Sequence, residues 1–491
     1  MWGCHGGTDR QLGKDAQPMK CLSLAVSFVA IVSHSFLLAS ADEHISARMA
    51  QLERETQALR TELEWLREQP TRLPAVEAAP VSMKHSALAP QAGDEYFTWG
   101  ELQAEMKRLS FTKGDFRIVP YGALWADMIY QTHRTNPGSF TIFVPSRAEE
   151  EQDAFIIDAR RTRFGLNIDG PRIPWLHNSL SSANVEIDFQ SPLTAADENR
   201  ATVLLRHAYW QARNDDYRVL IGQYWDVISP LNPDMLNYAV GWVGGNIGYR
   251  RAQFRFERYF HPDPYLMLTS QFALTQNIVT DFAASPGVRR EPTGWPILQG
   301  RLATTLGDRT AGRPIEVGVS GHIGETGFDF LTAGPPPLNL PPEMDRRFRT
   351  WSFNVDVRVP ITDRLSVKGE FFTGENLSAF LGGIGQGVCG CTRSTVRSSG
   401  GWFDVTYKLT PRWRVAAGYG LDDPVDSDLL FGRTYNQFLF ANTSFDVTKS
   451  LVTGFEVASW RTLYQDTRPE PTAPTEPGES LVFQWMVKYG F

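Results

Sequence analysis

Residues 349–359 read RTWSFNVDVRV. Trp351, Phe353, Val355, Val357 and Val359 fall on one parity, and Thr350, Ser352, Asn354, Asp356 and Arg358 on the other. Successive side chains of a strand point to opposite faces, so a period of two with one apolar face marks a strand between two environments. The C-terminal residues repeat the arrangement. Leu481, Phe483, Trp485, Val487, Tyr489 and Phe491 share one face, and Gln484, Lys488 and Gly490 the other. Phe403, Val405, Tyr407 and Leu409 alternate with Asp404, Thr406 and Lys408 in the same way. A soluble sandwich also alternates, but its strands average about five or six residues. These run to about ten or eleven, the length that crosses a bilayer at a tilt.

Working outward, about sixteen such segments are expected: 116–130, 154–168, 183–190, 202–213, 217–223, 249–260, 264–276, 297–306, 315–327, 347–359, 364–374, 399–409, 412–420, 433–446, 450–464 and 480–491. The connections after even-numbered segments are mostly short: 214–216 (NDD), 261–263 (HPD), 360–363 (PITD), 410–411 and 447–449. Those after odd-numbered segments are longer and rich in Gly and Pro. Short turns on one rim and long loops on the other are how transmembrane β-barrels are built. The fold expected over residues 115–491 is therefore an all-β, transmembrane antiparallel barrel.

Composition agrees. Hydrophobic residues make up 42% and aromatics 12%, with 14 Trp, yet the mean hydropathy is −0.28. Past residue 41 there is no apolar run of the roughly 18 residues that a membrane helix requires. A net charge of −7 argues against a nucleic-acid partner.

The N-terminal region reads as an exported leader followed by a helix. With translation starting at Met19, Lys20 supplies a positive start, residues 21–38 an apolar core, and Ala39-Ser40-Ala41 a cleavage pattern, so residues 1–41 are expected to be a signal peptide. Residues 42–68 carry a heptad, with Ile45, Leu52, Leu59 and Leu66 on one seam row and Met49, Thr56 and Leu63 on the other. That stripe is a coiled-coil pattern and calls for partner helices. Residues 69–95, rich in Pro and Ala, are expected to be a flexible linker. Thr98 with Glu101 forms a capping box ahead of Leu102, Met106 and Leu109, predicting a short helix within 96–114.

Several constellations bear on chemistry. Residues 224–248 (YWDVISPLNPDMLNYAVGWVGGNIG) follow the fifth segment and carry Asp226 and Asp234 among Trp225, Leu236, Tyr238, Val240 and Trp242. So hydrophobic a connection is expected to fold into a barrel lumen. Arg161, Arg163, Arg206, Arg251 and Arg255 alternate with apolar neighbours. A cation at the bilayer midplane costs about 2–4 kcal/mol, which turns these side chains inward. There they either set a field across a constriction with Asp226 and Asp234, or pair with Glu186, Asp188 and Glu257 and solvate a wide lumen. Asp422, Asp423, Asp426 and Asp428 lie close together without Ca²⁺-loop spacing. Ser320 and His322 share one strand face, but no third residue completes a catalytic set. Cys389 and Cys391 bracket one Gly and leave a disulfide or two thiols equally open; they are too few to hold a metal. No cofactor and no enzyme activity are expected.

The terminal Tyr489-Gly490-Phe491 resembles the assembly signal of outer-membrane barrels, read by the barrel-assembly machinery. RRTRFGLNIDGP (160–171), LLRHAYWQA (204–212), LIGQYWDVISP (220–230) and RRAQFRFE (250–257), with the order leader, coiled coil, linker and barrel, resemble the DcaP-like porins. The resemblance implies a homotrimeric outer-membrane channel in contact with lipid, passing small hydrophilic solutes and favouring anions such as dicarboxylates. The other function considered is structural: a barrel whose coiled coil tethers the membrane to the cell wall.

Overall fold

The computed structural model describes residues 110–149, 152–191, 201–279, 287–307 and 314–491. The expected leader, coiled coil and linker, and most of the short helix, lie outside the described residues. Phe111–Lys113, the end of that expected helix, is instead a strand. It turns at Gly114 (φ +60°), where glycine tolerates the left-handed conformation, and pairs back on Phe116–Ile118.

Sixteen strands close into one antiparallel barrel. In chain order they are β1 (Phe116–Gln131), β2 (Ala154–Asp158 continued by Arg163–Ile173), β3 (Ser179–Ser191) and β4 (Thr202–Arg213). Next come β5 (Tyr217–Trp225), β6 (Arg250–Asp263), β7 (Leu266–Thr275) and β8 (Val288–Glu291 continued by Ile297–Leu306). β9 (Ile315–Phe330), β10 (Glu343–Pro360), β11 (Leu365–Glu375) and β12 (Arg397–Thr410) follow. β13 (Trp413–Pro424), β14 (Phe431–Asp446), β15 (Leu451–Asp466) and β16 (Gly478–Gly490) complete the ring. Each strand pairs with its neighbours in sequence. The ring shuts where β1 meets β16, from Ala123 opposite Gly490 to Gln131 opposite Val482. Phe491 and Gly122 then exchange two backbone hydrogen bonds of 3.1 Å. Closure leaves no sheet edge, the condition for strands to sit in lipid.

Polarity is inverted. Leu439, Phe353, Phe403, Trp485 and Phe491 are exposed on the outer face, while Asp127, Asp188, Glu257, Asp356 and Arg301 are buried on the inner one. Such an arrangement is stable only when the outer face meets hydrocarbon.

The expected alternation of short turns and long loops holds, with strands extending one to five residues past several expected bounds and β8 starting nine residues before its expected start. Two strands carry interruptions that periodicity did not signal: residues 159–162 in β2 and 292–296 in β8. The loops 132–153, 226–249 and 376–396 meet inside the ring, where Phe140, Tyr238, Trp242, Tyr249, Leu381 and Ile384 form one apolar cluster.

Candidate pore constriction

The loop 226–249 is the element that fills the lumen, and its backbone explains its course. An amide removed from water needs an acceptor, and side chains on four separate strands supply them. Val227 N donates to Gln299 Oε1 of β8 at 2.8 Å, and Leu231 N to Glu370 Oε1 of β11 at 2.7 Å. Asp234 N donates to Asp404 Oδ2 of β12 at 2.6 Å, and Leu236 N to Glu456 Oε2 of β15 at 2.6 Å. The Tyr238 hydroxyl then reaches Asp188 of β3 at 2.9 Å. Successive residues thus touch the wall from β8 round to β3, so the loop spans the lumen. Three of these four acceptors are carboxyl oxygens, and an ionised acceptor strengthens such a bond. Apolar packing completes the anchoring: Leu231 and Met235 lie against Phe438 and Trp460. At Gly245 (φ +126°) a Cβ would stand 2.3 Å from Gly401 O, so only glycine permits this approach to β12.

All five arginines named from the sequence point inward, but they do not form one ring. Arg161, on the interruption in β2, donates to Leu236 O, lies 3.8 Å from Asp127 and stacks 4.0 Å from the Trp125 ring centre. Arg206 binds Glu186 at 2.7 Å and Asp188 at 2.6 Å. Arg163 stands 3.9 Å from the same Glu186, and its side chain is 27% exposed. Further round, Arg251 binds Asp226 at 2.7 Å, with both side chains 1% exposed. Asp226 also accepts from Tyr249 N and Gln299 Nε2, so it latches the two ends of the loop. Arg255 lies 3.3 Å from Glu257 and donates to Gln253 Oε1 at 2.9 Å. Asp234 differs. Its side chain is 48% exposed, bound by Lys368 at 2.8 Å and by the Thr406 hydroxyl at 2.7 Å.

The acceptors Gln299, Glu370, Asp404 and Glu456 were not singled out from the sequence. Their signal was the one used for the arginines: a polar residue at an inward position between apolar outward neighbours, as with Asp404 between Phe403 and Val405.

Other constellations resolve simply. Both ring nitrogens of His322 are engaged, by Ser352 at 2.8 Å and Thr350 at 2.9 Å, rather than by Ser320. Asp422 and Asp423, past the expected end of the 412–420 segment, belong to β13, and Asp422 is buried, accepting from Ser398 and Ile384 N. Asp428 is taken up by Arg397, which leaves no cluster of four free acids. Cys389 and Cys391 are buried with Sγ atoms 2.8 Å apart. Tyr489 and Phe491 are exposed on the outer face of the last strand.

A closed sixteen-strand ring with inverted polarity and a loop folded across its lumen is a transmembrane pore barrel. No family model matches the chain, and no curated protein matches its sequence. Among solved structures it is similar to the outer membrane channel DcaP of Acinetobacter baumannii. That match has 17% identity and a TM-score of 0.60, and covers 77% of this chain and 99% of that one. It is also similar to the anion-selective porin from Comamonas acidovorans, at 10% identity and a TM-score of 0.50, over 77% of this chain and 100% of that one. The likeness is one of fold, and the fold is that of the outer-membrane porins.

Proposed function

We propose that this protein lies in the outer membrane of a Gram-negative bacterium and forms a water-filled channel for the passive diffusion of small hydrophilic solutes. The observation that carries this is the loop 226–249, pinned across a lumen lined with charge. Barrels of sixteen strands enclose more space than side chains fill. The partial exposure of inward-facing Arg163, Glu316 and Asp234 speaks for solvent inside. A loop narrowing that space sets size and charge limits without a strong binding site, which suits fast passage.

Anions such as dicarboxylates are the favoured solutes, and the assembly is a homotrimer held by the helix at 42–68. The arginine-rich wall of β2, β4 and β6 supports the first, and the heptad the second. The anion-selective porin of similar fold points the same way. Liposome swelling tests the proposal: vesicles carrying the protein should swell in a small sugar and faster in a dicarboxylate salt. Vesicles that stay osmotically tight while the barrel remains folded would contradict it.

A further inference from the structure

Trp125, on the inner face of β1, gathers three cations. The Arg161 guanidinium carbon lies 4.0 Å from its ring centre, Lys488 Nζ 4.8 Å and the Arg163 guanidinium carbon 5.9 Å. The three come from β2 and β16, the strands on either side of β1. Acids nearby are already committed. Asp127 faces Arg161, and Glu186 is held by Arg206 at 2.7 Å and by the Tyr121 hydroxyl at 3.0 Å, more closely than it approaches Arg163. Among the described residues no carboxylate lies within 4.0 Å of Lys488, and the charges acting on it are those of Arg163, Arg161 and Arg414. Arg414 has its own partner in Asp446 at 3.4 Å. On this wall Arg161 faces Asp127 and Glu456, and Arg206 and Arg163 face Glu186 and Asp188, whereas Lys488 has no acid beside it among the described residues. Lys488 and Arg163 are only half-buried, so a solute in the lumen can reach them.

We infer that Lys488 and Arg163, propped by Trp125, form a docking site for small carboxylate-bearing anions on the lumen wall. The inference rests on the proposed channel and locates its selectivity. Like charges held together in a low-dielectric wall favour a passing anion, which relieves their repulsion. The Arg251–Asp226 pair, sealed and neutral, offers no such relief. A site built from half-solvated cations also releases its ligand readily, as conduction requires.

The test is the reversal potential of the full-length protein in planar bilayers under a KCl gradient, together with block of the chloride current by malonate. Lys488→Met is expected to lower anion preference roughly three-fold at 0.1 M salt and to weaken malonate block by a similar factor, with the difference fading near 1 M. Lys488→Arg should retain both properties. Arg163→Gln, on another strand, reads the same site should the Lys488 variant assemble poorly, and a heat-modifiable band verifies folding in each case. An anion-selective wild type whose Lys488→Met and Arg163→Gln variants keep the same selectivity and the same malonate block would overturn the site alone. A conducting wild type with neither anion preference nor malonate block would overturn the selectivity proposal along with it.

Discussion

At the scale of single residues, Asp226 is tightly held in the lumen. It pairs with Arg251 and accepts two further hydrogen bonds while fully enclosed. Removing one partner of a buried pair leaves an uncompensated charge, at a cost of about 3–5 kcal/mol. Asp226→Asn is therefore expected to lower the temperature at which the folded band converts on gels, and to move the reversal potential further toward anions. An unchanged conversion temperature would mean that the Arg251 charge is satisfied elsewhere. The arginines were legible in the sequence because a charge among outward apolar neighbours can only point inward. Their partners were not. Which acid meets which arginine depends on neighbouring strands and on a loop up to 220 residues away, as with Leu236 and Glu456.

At the scale of elements, the strands were legible and the loops were only partly so. Period-two alternation located all sixteen barrel strands, since each is apolar on one face, but not Phe111–Lys113 or the Val288–Glu291 piece of β8. It missed the break at 159–162, because a local turn that keeps its flanking parity leaves no trace in periodicity. The loop 226–249 showed its inward course through its hydrophobicity, but not the acceptors that pin it. Replacing Glu370 and Asp404 together by Ala should strand the buried Leu231 amide, at a cost of about 1–3 kcal/mol, and free the partly buried Asp234 amide. The expected outcome is a looser loop, seen as larger and noisier single-channel steps; steps of native size and quiet baseline would show that apolar packing alone fixes the loop. In the loop 376–396, the hydrogen bond with Cys391 holds the Cys389 thiol down to about 5. The shift favours the thiolate, the form that attacks. In an oxidising compartment the pair is expected to close, so the intact mass should fall by two hydrogens, and two alkylated cysteines after non-reducing denaturation would contradict this. Phe491 ends the ring, exposed and bonded to Gly122. Phe491→Ser is expected to lower the yield of heat-modifiable barrel in membranes, whereas normal levels would place the assembly signal elsewhere.

At the scale of the whole molecule, a closed ring with an apolar outer face and charge inside fits the proposed use of its lumen as a channel. The heptad at 42–68 calls for partner helices and the resemblance to trimeric porins makes the expected number three, which light scattering in detergent tests by comparing the full chain with one lacking those residues. A monomeric full-length protein would remove that expectation while leaving the pore intact. The channel itself is tested most directly by inserting the purified protein into a planar bilayer and recording current under a salt gradient. Discrete, ohmic steps with a reversal potential on the anion side are the predicted result. A folded, heat-modifiable barrel that inserts and passes no current would contradict the account.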